Sequence, residues 1–126
     1  MRILIADDHP FVRNGVRNIL GAHAGYEVCG EAENGAVAVE KVQELNPDVL
    51  VLDITMPVMN GIDAARQILE KRPDLPIVIL SMHESGTQLE AARKLGIKGY
   101  VSKSRAVQDL IRAIDAVSAG KTYFST

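Results

Sequence analysis

The chain has 126 residues, 47% of them apolar and only 4% aromatic, enough for one globular domain with an aliphatic core of Val, Ile, Leu and Ala. Its 14 basic side chains stand against 16 acidic ones, a net charge of -2, which excludes a module that binds nucleic acid through a basic face. The lone cysteine, Cys29, cannot close an internal disulfide. The runs Ile3–Ala6 and Val49–Leu52 are too short for a signal peptide or a bilayer span, so a reducing, cytoplasmic setting without a membrane partner is expected.

Along the chain, short apolar runs alternate with helical stripes. The first run, Ile3–Ala6, leads through Pro10, suited to a first helical turn, into a stripe of Val12, Val16, Ile19 and Leu20. Val28–Ala32 follows, with Cys29 as core filler, and then a second stripe of Val39, Val42 and Leu45. Val49–Leu52 is an unbroken hydrophobic segment, as expected of a strand covered on both faces. Ile62, Ala65, Ile68 and Leu69 form the third helix, Ile77–Leu80 the fourth strand, and Leu89, Ala92 and Leu95 a weaker fourth helix. Gly99–Val101 precedes the clearest stripe, Val107, Leu110, Ile111, Ile114 and Val117, with Ser104 placed to cap it. Gly96 and Gly120 stand where left-handed C-caps are wanted, and Pro47, Pro73 and Pro76 stop helices just ahead of strands. The residues after the fifth helix, from Tyr123 on, are given no element. Strand and helix repeated five times predicts a doubly wound α/β domain with a five-stranded parallel sheet and five helices.

Ligands of such a sheet bind beyond the carboxyl ends of its strands. There the first strand carries Asp7 and Asp8, the third Asp53, the fourth Ser81, and the fifth is followed by Lys103. Three carboxylates, a hydroxyl and an ammonium therefore converge on one edge. Like charges gathered so closely need a cation, and hard oxygens without a histidine or cysteine cluster select Mg2+ over zinc. A metal on one side and Lys103 on the other is the environment a transferring phosphoryl group requires.

Asp7-Asp8 after the first strand, Asp53 with Met56-Pro57 and Gly61 after the third, Ser81 after the fourth, and Tyr100 and Lys103 around the fifth together resemble the receiver domains of two-component response regulators. The segments Asp7-Asp8-His9-Pro10 and Gly99–Lys103, and the ending Ala113–Gly120 followed by Tyr123-Phe124, look most like the branch that precedes a LuxR-type helix-turn-helix. The resemblance implies strand order 2-1-3-4-5 and makes Asp53 the nucleophile that takes a phosphoryl group from a sensor histidine kinase docked near the first helix. It implies that Asp8, Asp53 and the carbonyl of Thr55 hold Mg2+, with Asp7 acting largely through water. Lys103 and Ser81 would contact the phosphoryl group, and Ser81 with Tyr100 would form the switch. Thr55 and His83 would tune the dephosphorylation rate. It further implies that the 126 residues are one receiver domain, either preceding a DNA-binding output domain beyond Thr126, the sole route to DNA, or standing alone. Receivers of this family often dimerise on phosphorylation, and for this chain that is left open. Many receivers follow the lysine with a cis proline. Here Ser104 follows, and since a non-proline cis bond costs roughly 3 kcal/mol, a trans bond is expected.

Singly, each of these residues has a plainer reading. Asp7 and Asp8 could cap a helix, Asp53 could be a solvated strand end, Lys103 a surface lysine, Ser81 a turn residue and Tyr100 a packed rim aromatic; Gly61 reads as a turn and Asp63 as a helix-dipole partner. His9 borders the acids but is given no ligand role, and His23 reads as exposed. An aspartate-nucleophile phosphatase of the haloacid dehalogenase type would want Asp-x-Asp on the first strand, where the acids here are adjacent. A flavodoxin-like cofactor binder would want a phosphate-cradling loop that Asp7-Asp8 would repel. A degenerate receiver that only binds partners would lack some of the five site residues.

Overall fold

The computed structural model describes residues 1–82 and 86–125. Its elements run β1 (Arg2–Ala6), α1 (Pro10–Gly21), β2 (Glu27–Ala32), α2 (Gly35–Leu45), β3 (Val49–Leu52), α3 (Gly61–Lys71), β4 (Ile77–Ser81), α4 (Gly86–Lys94) and β5 (Gly99–Ser102). A 3-10 turn (Lys103–Arg105), α5 (Ala106–Ser118) and β6 (Tyr123–Ser125) complete the chain. All strand pairs are parallel, in the order β2-β1-β3-β4-β5-β6. The expected order 2-1-3-4-5 is therefore present, extended at one margin by a sixth, short strand. Tyr123 N donates to Lys98 O at 2.8 Å, and Tyr123, Phe124 and Ser125 lie level with Gly99, Tyr100 and Val101. Two side chains anchor this strand. Tyr123 donates its hydroxyl to the buried carboxylate of Asp109 at 3.0 Å, and the Arg93 guanidinium lies 4.3 Å above the Phe124 ring.

The unbroken apolar runs are explained by a core on each face of the sheet. Leu4 and Ala6, Leu50 and Leu52, and Ile77 and Ile79 pack with Val42 of α2, Ala65 and Ile68 of α3, and Ala92 of α4. Their neighbours Ile3 and Ile5, Val49 and Val51, and Val78 and Leu80 pack with Val16 and Leu20 of α1 and with Leu110, Ile114 and Val117 of α5. Alternate residues of a strand point to opposite faces, so a strand covered on both must be apolar throughout. Each buried Val, Leu or Ile among them contributes about 1.5–3 kcal/mol by leaving water. Cys29 is half-buried against the first of these cores.

Helix ends follow local chemistry, with one correction. Pro10 opens α1, Asn34 and Asn60 cap α2 and α3 by accepting from Val37 N and Asp63 N, and Gly96 and Gly120 take φ of +86° and +81° after α4 and α5. Ser104 does not cap α5. It lies inside the 3-10 turn with its hydroxyl 2.9 Å from that of Ser102, and Arg105 occupies the cap position with no side-chain cap bond. No cis peptide occurs among the described residues, so the bond after Lys103 is trans. Among those residues no helix is long and apolar enough to cross a membrane.

Candidate functional site

The backbone ladder carries two acids past the ends of their strands. Asp7 N donates to Ala32 O at 3.0 Å and Asp53 N to Ala6 O at 2.9 Å, which sets the first and third strand ends side by side. Asp7 and Asp53 are buried, at 2% and 4% exposure, while the Asp8 side chain is 27% exposed. Carboxylate oxygens of Asp7, Asp8 and Asp53 and a ring nitrogen of His9 all lie within 4.8 Å of one another. Lys103 starts the 3-10 turn directly after β5, and its ammonium sits 2.8 Å from Asp7 Oδ2 and 3.4 Å from Asp53 Oδ2.

One ammonium does not balance three carboxylates. Burial, then the charge of Asp7, pushes the Asp53 carboxyl above the usual aspartate range, against the opposing pull of Lys103. Asp7 Oδ2 and Asp8 Oδ1 are buried without a well-aligned hydrogen bond, although Lys103 stands at ion-pair distance from the first and His9 Nδ1, at 3.0 Å, from the second. Buried oxygens with spare lone pairs and excess negative charge fit a hard divalent cation that keeps much of its water, so the donor set agrees with Mg2+. Asp7 Oδ1 is already engaged, accepting from His9 N at 2.9 Å with the ring Nδ1 at 3.2 Å. His9 therefore belongs to the acidic cluster geometrically, although its side chain is mostly exposed.

The remaining expected residues lie around this cluster. A cavity of about 390 Å3 opens over Asp53 and Lys103, with Thr55 and His9 as its other polar walls and Phe11, Val12 and Met82 as its apolar ones. Ser81, buried at the end of β4, is level with Ser102, the residue before Lys103. Tyr100 is wholly buried in the core under α2, α3 and α4. His83 lies outside the described residues.

Two contributions were not legible in the sequence, the steric role of Gly61 and the contacts of Arg13. Gly61 is not a turn residue but opens α3 against the Asp53 backbone: a Cβ there would overlap the Asp53 carbonyl oxygen, and Gly61 N donates to Ile54 O at 2.7 Å. Arg13, on α1, donates from Nη1 to the main-chain oxygen of Asp7 at 2.6 Å and from Nε to Glu31 of β2 at 2.9 Å. Neither partner leaves a periodic signal in the sequence of α1.

The family model for the response regulator receiver domain matches residues 3–115. Chemotaxis protein CheY of Thermotoga maritima is 42% identical over 93% of this chain and 97% of its own length. Transcriptional regulatory protein DegU of Brevibacillus brevis is 37% identical over 98% of this chain but only 52% of its own, so the chain spans about half of that relative. Among solved structures, a two-component response regulator of the LuxR family from Aurantimonas sp. SI85-9A1 superposes with a TM-score of 0.92 at 37% identity, covering 96% of this chain and 86% of that one.

Proposed function

Because this chain belongs to the response regulator receiver domain family, we propose that it is a phosphorylation switch in which Asp53 accepts a phosphoryl group from a histidine kinase. The observation that carries this reading is the Lys103 ammonium held between Asp7 and Asp53 inside a three-carboxylate cluster at the strand ends. An Asp53 oxygen attacks phosphorus, the O–P bond forms as the N–P bond of the phosphohistidine breaks, and the electron pair returns to the imidazole nitrogen. Asp8 and Asp53 with the Thr55 carbonyl would hold Mg2+, with Asp7 supporting it through a water, and the ion would supply charge compensation for the phosphoryl oxygens. Lys103 is already within reach of Asp53 and contacts the transferred group from the other side. Burial of Asp53 keeps bulk water from competing with its neighbours for that charge.

Ser81 hydrogen-bonds the phosphoryl group and Tyr100 follows it. Since Tyr100 is fully buried already, its share of the switch is a change of packing beneath α4. Thr55, exposed on the cavity wall, tunes hydrolysis of the acyl phosphate, as does His83. The chain acts in the cytoplasm as a single receiver domain over residues 1–126. Phosphorylation favours pairing with a second copy, and any contact with DNA runs through an output domain rather than through this net acidic chain.

The test is phosphorylation by acetyl phosphate, with and without Mg2+, followed by intact-mass and phosphate-affinity electrophoresis. Wild type gains one phosphoryl group only with the metal, and Asp53→Asn gains none. Labelling of Asp53→Asn at the wild-type rate overturns the assignment.

A further inference from the structure

We propose that Arg13 is a positioning residue for the Mg2+ site, acting through the peptide that joins Asp7 to Asp8; the role presupposes the metal site proposed above. Three observations converge on it. First, the Arg13 side chain is only 17% exposed, although it lies on a helix whose other arginine, Arg17, is 47% exposed. Secondly, its guanidinium is engaged at two points, with Nε on Glu31 Oε1 at 2.9 Å and Nη1 on the Asp7 carbonyl at 2.6 Å. Thirdly, the anchor is itself held. Arg17 bonds the other oxygen of Glu31, and Lys41 Nζ bonds its main-chain carbonyl at 2.5 Å. These arginines keep the Glu31 carboxyl below its usual range, Arg17 contributing most, so the anchor is ionised at neutral pH.

The consequence falls on Asp8. A peptide unit is rigid and planar, so fixing the Asp7 carbonyl also fixes the nitrogen from which Asp8 begins. Asp7 N is tied to Ala32 O and Asp7 O to Arg13, which is braced on the neighbouring residue, Glu31. Both sides of Asp7 are thus referenced to β2. Asp8 needs this, because it is the most exposed of the three acids and its Oδ1 has no well-aligned hydrogen-bond donor. Beyond His9 Nδ1, 3.0 Å from that oxygen on a mostly exposed ring, its aim at the cation would come from the backbone. Residues that orient metal ligands in this way typically contribute 10–100-fold to affinity.

The sign of the effect separates this role from plain electrostatics. Arg13 is a cation near an acidic metal site, so by charge alone its removal should tighten Mg2+ binding. Positioning requires the opposite. Lysine retains the charge but has a single nitrogen and cannot reach both oxygens in the fork geometry. Arg13→Lys is therefore neutral by charge and weakening by position.

The experiment is Mg2+ titration of the whole domain followed by the NMR amide shifts of Asp8, Asp53 and Lys103, with the melting temperature in EDTA as a folding control. Arg13→Gln is expected to weaken Mg2+ about tenfold. Arg13→Lys should weaken it several-fold with little change in metal-free melting. Adding Glu31→Gln to Arg13→Gln should cause little further loss, since the anchor acts through the arginine. Should Arg13→Gln fail to fold, Arg13→Lys decides alone. Unchanged or tighter Mg2+ binding in a folded Arg13 variant overturns the positioning role and leaves the metal site standing. Absence of saturable Mg2+ binding in the wild type overturns the site itself.

Discussion

Replacing Asp53 by asparagine should stabilise the metal-free domain, and the size of the gain follows from the charges around it. Asp7 and Asp8 place carboxylate oxygens within 4.8 Å of Asp53. At an effective dielectric near 20, each repulsion at that distance is about 3.5 kcal/mol. Lys103, 3.4 Å from Asp53 Oδ2, returns about 5 kcal/mol at the same dielectric, leaving about 2 kcal/mol unfavourable before desolvation. Asp53→Asn keeps the shape and removes that charge. In EDTA at neutral pH its melting temperature should exceed that of the wild type by roughly 6–10 °C for a domain of this size. The pH dependence has a defined sign. A carboxyl whose folded value is raised holds its proton more tightly in the native state. The stability it contributes is full below the ordinary aspartate value of 3.8 and is lost as pH rises through the raised one. The gap between variant and wild type should therefore open with rising pH across that window. Mg2+ should then close it, because at a hundredfold excess over its dissociation constant a ligand adds about 2.7 kcal/mol to the protein that binds it. Thermal denaturation followed by circular dichroism, with EDTA or Mg2+ from pH 4 to 8, measures all of this. A variant no more stable than wild type in EDTA, or one equally stabilised by Mg2+, refutes the crowding of charge on which the site depends.

Gly61→Ala should destabilise the domain by about 2–4 kcal/mol, because the added methyl would meet the Asp53 carbonyl, its carbon and the Ile54 Cα, backbone atoms that no rotamer change can clear. Chemical denaturation checks it, and wild-type stability would show that α3 retreats from Asp53 freely. Val58→Gly should raise stability by about 0.5–1 kcal/mol. Val58 is exposed, takes φ of +70°, and sits inside a three-residue turn closed by Met59 N on Pro57 O at 2.7 Å, a backbone that a β-branched side chain opposes. A destabilised Val58→Gly variant would mean that the turn is held by the valine rather than despite it.

The five strands were readable because both faces of the sheet are covered, which forces runs such as Val49–Leu52 to be apolar without interruption. The convergence of Asp7, Asp8, Asp53 and Lys103 was readable for a related reason: parallel strands end on one side, so a residue's place in its strand fixes its place in the molecule. Strand β6 was not, because three residues carry no periodicity and its pairing with β5 joins positions 24 apart. Its anchor, Asp109, reads in sequence as one more surface acid of an amphipathic helix. Ser104 looked like a cap because nothing local announces that a 3-10 turn intervenes before α5. Arg13 was missed because its partners are a main-chain oxygen and a residue of another strand, neither of which a helical stripe reveals. Gly61 resembled a turn glycine, and only the approach of α3 to the Asp53 backbone gives its absent side chain a steric meaning.

Strand β6 also gives the molecule a directional exit. It runs the same way as its five companions and ends level with Val101, two residues short of Lys103. A reporter dye or polypeptide joined at residue 125 would thus begin its path on the rim that gathers the acids, not at the opposite pole where Pro76 leads into β4. Fused cargo would start on the same rim as the acids, at the sheet margin beside β5.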